Sequence, residues 1–173
     1  DPLYSTAPHR GFRADFAITG IADASLRALA EAMETRGALA QDRVAARRDR
    51  IGVVRSAMLK DWQAELANSS SSQPIHPAWL SQCLNEVIND DTIVVRESPL
   101  DLRFFDRSQP GTLFGGASGL GWGLGGAIGA KLAAPEKLVI ATEGDGAYMF
   151  GNPVSAHYIS AAHDLPFLTV IFN

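Results

Sequence analysis

Three short hydrophobic runs along the chain predict buried strands, at residues 92–95, 137–142 and 166–172. Each is rich in Val, Ile, Leu or Phe, as is typical of strands that are covered on both faces. Between the last two runs, residues 154–162 mix apolar and small side chains, which predicts a helix packed on the sheet. A strand, a helix and a strand in this order form a βαβ unit whose strands run parallel. The predicted fold class is therefore α/β, with a parallel sheet flanked by helices.

Further helices are predicted where helix-forming residues dominate, at 22–32, 34–66, 78–88 and 121–134. The last of these is rich in Gly and Ala, which allow close approach to a neighbouring element. Residues 16–19 predict a short strand ahead of the first helix. The segment 68–74, NSSSSQP, is typical of a flexible linker.

A dense basic stretch lies within the predicted helix 34–66. Arg43, Arg47 and Arg50 are spaced four and three residues apart, so they share one helix face. Aspartates interrupt the stretch, stacking aromatic residues are nearly absent from it, and the whole chain carries a formal net charge of −4. A solvated interdomain helix explains these charges better than a nucleic-acid surface does.

The composition is that of a globular protein, with 173 residues, of which 46% are hydrophobic and 20% charged. No apolar run approaches the ~18 residues of a membrane span, and no signal peptide opens the chain. The single cysteine, Cys83, excludes an internal disulfide. We therefore expect a cytoplasmic protein without a membrane partner.

The predicted strand 137–142 is followed directly by Gly144-Asp145-Gly146. Glycines on both sides of the aspartate allow a tight turn and the close approach of a charged ligand. Aspartate is an oxygen donor that suits Mg²⁺ or Ca²⁺, and parallel sheets bind ligands at the carboxyl ends of their strands. Asn173 ends the next strand, so it is expected at the same edge as Asp145. The sequence predicts a site for an anion and a metal there.

This arrangement resembles the thiamine diphosphate-binding motif, in which GDG opens a segment closed by a pair of asparagines. Upstream, residues 111–133 resemble the glycine-rich segment of the acetolactate synthase and benzoylformate decarboxylase group. The resemblance implies an incomplete thiamine diphosphate-binding domain in which Gly119, Leu120 and Gly121 lie under the cofactor. Leu120 would hold the cofactor in its bent shape, and the Gly119 carbonyl would accept a hydrogen bond from its aminopyrimidine.

The resemblance also implies roles around the diphosphate. Asp145 would bind Mg²⁺, with Ca²⁺ as a substitute, and the amides of Gly146 and Ala147 would donate to diphosphate oxygens beside Gly144. The second metal ligand would be Asn173 or a residue just beyond it. FAD, which some relatives bind for structural reasons, stays open as an additional cofactor.

The strand 92–95 ends in Arg96-Glu97-Ser98, also at the expected ligand edge. By the resemblance, Ser98 would contact the diphosphate. Glu97 has two interpretations: it belongs to the site, or it is an acid at the loop end that pairs with Arg96 or Arg103.

The implied reaction is decarboxylation of a 2-oxo acid, with or without carboligation, in a homodimer or homotetramer. In the family, the glutamate that activates the cofactor comes from a neighbouring subunit, so no catalytic residue is expected in this chain. The chain is expected to be an internal fragment that is inactive alone. The predicted parts are the end of a central domain at 1–33, a helical interdomain linker at 34–74, and a truncated thiamine diphosphate-binding domain at 75–173.

Two other functions remain as alternatives. Residues 121–126 satisfy G-x-G-x-x-G, the dinucleotide fingerprint, and Glu143 follows at a suitable distance for the ribose-binding acid. Residues 114–119, which precede it, are too rich in glycine for the central strand that an oxidoreductase domain requires. A pseudoenzyme that keeps the fold without the chemistry is the other alternative, and the presence of Asp145 and Leu120 counts against it.

Overall fold

The structure is a computed structural model, and it describes residues 15–16, 18–36, 41–97, 100–116 and 119–173. The chain divides into two compact units, residues 1–57 and 58–173. The domain boundaries expected at 33 and 74 stay predictions.

The first unit contains helix α1, Ala22–Thr35, and the beginning of helix α2, Gln41–Ser69. Asp23 in the first turn of α1 pairs with Arg27 one turn later, at 3.0 Å. Both helices were predicted. The short strand expected at 16–19 is wrong for the residues described there, since residues 16, 18 and 19 lie outside any strand.

The other helices belong to the second unit, and their bounds follow local sequence signals. Helix α3 spans Pro77–Val87 and begins with proline, which suits the first helical position because its missing N–H has no partner there anyway. The His76 ring accepts a hydrogen bond from the Ala78 amide at 3.2 Å and so caps this helix. The remaining helices are α4, Trp122–Ala133, α5, Asp145–Phe150, and α6, Pro153–Ala162.

The described strands form one parallel sheet in the order β2-β1-β3-β4. Their bounds are Ile93–Arg96 for β1, Leu113–Gly115 for β2, Val139–Gly144 for β3 and Leu168–Phe172 for β4. The predicted parallel α/β fold is thereby confirmed. Strand β2 was not predicted, because its three residues end in glycine and give little periodic signal. It lies at an end of the described sheet, in agreement with the expectation that this segment is not a central strand.

Hydrophobic clusters cover both faces of the sheet, because successive strand residues point to opposite sides. On one face, Val94 and Ile140 pack with Leu84 of α3. On the other face, Val95 and Ala141 pack with apolar residues of α4. Neither cluster includes Asp145 or Asn173, which are exposed at the carboxyl ends of their strands.

None of the helices in the described parts of the chain combines the length and the apolar character needed to cross a membrane.

Candidate functional site

The register of the parallel strands brings two of the predicted ligands to one sheet edge. Gly144 of β3 pairs with Phe172 of β4. Asp145 and Asn173 each follow directly on this pair, and neighbouring strands lie about 4.8 Å apart. Both side chains are exposed. The structure thus confirms that the two residues share an edge, while their metal-binding role stays a prediction.

The Gly144-Asp145-Gly146 segment differs from the tight turn that was predicted. Gly144 is extended, with φ −80° and ψ 156°, and helix α5 begins at once with Asp145. Apart from adjacent residues and the backbone of the same helix, no atom of the described residues lies within 4 Å of a Cβ added at Gly144 or Gly146. The two glycines therefore leave the backbone open to a ligand, while buried Ala147 anchors the helix in the fold.

The Gly119-Leu120-Gly121 segment forms an exposed turn immediately before α4. Leu120 is 59% exposed, which leaves its side chain available to a ligand. Gly121 has φ +83°, and a Cβ added to it would lie 2.6 Å from the backbone nitrogen of Gly151, just past the end of α5. Glycine is required here for both conformation and space. Through this contact the Gly119-Leu120-Gly121 turn packs against the carboxyl end of α5, the helix that begins at Asp145.

The Glu97 side chain binds the start of α4. The Gly121 amide donates to Glu97 Oε1, and the Gly123 amide donates to Oε2 at 2.7 Å. The Glu97 amide donates to the Thr142 carbonyl at 3.0 Å, which continues the pairing of β1 with β3.

The pairing of Glu97 with Arg96 or Arg103, one of the two interpretations of its sequence position, is wrong. The Arg103 guanidinium instead binds Glu65 at 2.8 Å and Asp101 at 2.7 Å. Within the described residues, Glu97 forms no ion pair with Arg96. Glu97 instead contacts the Gly119-Leu120-Gly121 segment through the Gly121 amide.

Glu143 lies beside Glu97 because Arg96 pairs with Thr142, which brings the next residue of each strand together. Glu143 is fully buried, and neither of its carboxyl oxygens has a hydrogen-bond partner among the described residues. Burial, and then the neighbouring Glu97 carboxyl, raise the pKa of Glu143 to about 8. Both effects favour the protonated form of the Glu143 carboxyl group.

Sequence reasoning missed this pair of acids, although a signal for it was present. Glu97 follows one buried strand and Glu143 lies near the end of another. Had the two strands been placed side by side, alternation would have put both side chains on one face of the sheet.

The same geometry argues against the dinucleotide alternative. In that fold, the strand before the fingerprint and the strand with the ribose-binding acid are neighbours. Here β1 separates β2 from β3. Glu143 is buried, and Glu97 already occupies amides at the start of α4, where a phosphate would bind.

The predicted contact of Ser98 with the diphosphate lies outside the described residues and stays a prediction. Across the described parts of the chain, no three His, Cys, Asp or Glu side chains are grouped as metal ligands would be.

A separate cavity of about 350 Å³ lies between the sheet and α4. Its wall is formed by apolar residues and glycine from β1, β2 and the length of α4, with Ile93, Trp122 and Ala133 among them. None of the described residues that line it carries a charged or metal-ligating side chain.

Comparisons with known proteins point to the same kind of site. Residues 101–173 match the family model described as thiamine pyrophosphate enzyme, C-terminal TPP binding domain. Benzoylformate decarboxylase from Pseudomonas aeruginosa is 32% identical over 105 residues, which are 58% of this chain and 20% of that enzyme.

A solved structure, the thiamine diphosphate-dependent 4-hydroxybenzoylformate decarboxylase of Rhodococcus jostii RHA1, superimposes with a TM-score of 0.52 and 36% identity. The match covers 57% of this chain and 19% of that one. The chain thus spans about a fifth of the length of both relatives. The comparisons do not favour a dinucleotide-binding domain and give no support for FAD.

Proposed function

Because residues 101–173 match the model of C-terminal thiamine pyrophosphate-binding domains, we propose that the protein is a thiamine diphosphate-dependent decarboxylase of 2-oxo acids. One observation carries the proposal: the turn with Leu120 packs, through Gly121, against Gly151 at the end of helix α5, and α5 itself begins with Asp145 at the carboxyl end of strand β3.

The residues present fit the cofactor. The exposed Leu120 side chain and the backbone of Gly119 and Gly121 would hold the thiamine rings. The unobstructed Gly144 and the amides of Gly146 and Ala147, at the start of α5, would hold the diphosphate, since the first amides of a helix have no partner within it. When bound, thiamine diphosphate supplies the electron sink for loss of CO₂.

We propose Mg²⁺ as the metal, with Asp145 as a direct ligand. Its exposed carboxylate stands at the edge where the diphosphate would lie, and Mg²⁺ is usually bound by one or two carboxylates together with ligand phosphates. Asn173 is proposed as the second protein ligand because the strand register places it beside Asp145. Ser98 remains a proposed contact to the diphosphate.

The proposed substrate is an aromatic 2-oxo acid, because the two relatives are named for benzoylformate and 4-hydroxybenzoylformate. Carboligation is a second reaction to be assayed with the same substrates. We further propose a cytoplasmic homodimer or homotetramer, with the cofactor-binding domain beginning at residue 75.

Calorimetric titration of the full-length protein tests the proposal. Thiamine diphosphate is expected to bind when Mg²⁺ is present, and NAD is expected not to bind. The protein with bound cofactor should then release CO₂ from benzoylformate. Binding of NAD without binding of thiamine diphosphate would refute the proposal.

A further inference from the structure

We propose that Glu97 is a positioning residue for the cofactor, because it holds the turn that presents Leu120. The inference rests on the proposed function, since this turn matters only if it seats the thiamine rings.

Helix α4 has no N-cap side chain of its own. A helix leaves its first amides without partners, and the residue at the N-cap usually supplies a side-chain oxygen to them. Gly121 occupies the N-cap of α4 and makes no such hydrogen bond. Gly121 cannot be replaced by a capping residue, because of its φ of +83° and its close approach to Gly151. The cap must therefore come from elsewhere in the fold.

Glu97 supplies that cap from the neighbouring strand. One carboxylate oxygen accepts from the Gly121 amide and the other accepts from the Gly123 amide, at 2.7 Å. The backbone of Glu97 is itself held by the Thr142 carbonyl at 3.0 Å. The start of α4 is thereby tied to the β1–β3 pair, and an acid at a helix amino terminus also interacts favourably with the helix dipole.

Leu120 is 59% exposed, so its side chain receives little support from packing. Its position depends on the residues on either side of it. Gly121 is fixed both by its contact with Gly151 and by its hydrogen bond to Glu97. Loss of the Glu97 carboxylate would loosen the turn at the thiamine rings and leave Asp145, at the diphosphate end, in place.

The test compares two probes, each with Mg²⁺, by calorimetry on the full-length protein. Thiamine diphosphate reports on both ends of the site, and inorganic pyrophosphate reports on the diphosphate end alone. In Glu97→Gln, an amide nitrogen replaces one acceptor oxygen. The Kd for thiamine diphosphate should rise about ten- to hundredfold, which is the effect of losing one charge-assisted hydrogen bond. The Kd for pyrophosphate should stay within about twofold of the wild-type value.

Two control variants accompany Glu97→Gln. Glu136→Gln changes an exposed acid just beyond α4 and should leave both Kd values unchanged. Asp145→Ala should weaken both probes. If Glu97→Gln does not fold, as judged by circular dichroism, Glu97→Asp replaces it; this variant keeps the charge but shortens the reach to the amides, and the same selective loss is expected.

Equal weakening of both probes, or no change in either, would overturn the role of Glu97. Failure of the wild-type protein to bind thiamine diphosphate would reject the proposed function, and the inference with it. Because the wild-type protein is titrated before any variant, this outcome is distinguished from a failure of the inference about Glu97 alone.

Discussion

Gly123 lies directly against the carboxyl group of Glu143. A Cβ added to Gly123 would collide with Glu143 Oε1 and would lie 3.0 Å from Glu143 Cδ. Because Glu143 is fully buried, its carboxyl group has little room to retreat. The start of helix α4 can therefore lie this close to Glu143 because residue 123 has no side chain.

We expect Gly123→Ala to lower the free energy of unfolding by about 1–3 kcal/mol, the usual cost of overpacking a core. Gly129→Ala in the same helix is the matched control, since the added Cβ has no described atom within 4 Å apart from adjacent residues and the backbone of its own helix. It should raise the free energy of unfolding by about 0.5–1 kcal/mol, because alanine favours a helix. Urea denaturation measures both. Equal stabilisation by the two substitutions would contradict the packing argument.

Gly121→Ala should destabilise the protein and abolish binding of thiamine diphosphate. The left-handed conformation costs a residue with a Cβ about 1–2 kcal/mol, and the added atom would also press on the backbone of Gly151. Gly125→Ala adds the same atom to exposed, open space in α4 and should leave binding intact. Thermal unfolding and calorimetry would report the two effects. Unchanged binding in Gly121→Ala would mean that the turn does not seat the cofactor.

Asp145→Asn is expected to abolish Mg²⁺-dependent binding of thiamine diphosphate, because the amide removes the charge that attracts the metal. Asp145 is exposed, so the free energy of unfolding should change by no more than about 0.5 kcal/mol. Asp61→Asn, an exposed change on α2, is the control for both measurements. Mg²⁺-dependent binding that survives in Asp145→Asn would remove Asp145 from the metal site.

Asn173→Ala tests the second proposed ligand. The half-saturating Mg²⁺ concentration, measured at fixed thiamine diphosphate, should rise, while binding at saturating Mg²⁺ should still be detectable. Asn68→Ala, at an exposed position of α2, should leave the Mg²⁺ requirement unchanged. If the two variants behave alike, the second ligand is not Asn173.

Stability of the metal-free, cofactor-free protein should fall as pH rises from about 5 to 8. The pKa of Glu143 is about 8 in the folded state and 4.5 as a model value, so the folded state binds the proton more tightly. The stabilisation that results from this tighter proton binding is complete below the pKa of Glu143 in the unfolded state. It is lost as pH rises through the pKa in the folded state, and its total is on the order of a few kcal/mol. Denaturation at several pH values in EDTA would measure it. In Glu143→Gln the side chain does not titrate, so the free energy of unfolding should depend less on pH. Parallel pH profiles for the variant and the wild-type protein would contradict the assignment of this pH dependence to Glu143.

Local periodicity and chain order were sufficient to identify much of the fold. Short continuous runs rich in Val, Ile, Leu and Phe predicted β1, β3 and β4, and the intervening helix implied that β3 and β4 run parallel. That topology alone predicts Asp145 and Asn173 at one edge, because the carboxyl ends of parallel strands coincide. The glycine-rich segment was identified from composition, as a place where backbone approaches a ligand or another element.

Tertiary structure decided the relationships between residues that are distant along the chain. Nothing local to Gly121 indicates that Gly151 will contact it, and nothing local to Glu97 indicates that it will cap α4. The proximity of Glu97 to Glu143 depends on which strands are neighbours and on their register. These contacts arise from packing between elements, and a one-dimensional pattern records only which face of its own element each residue occupies.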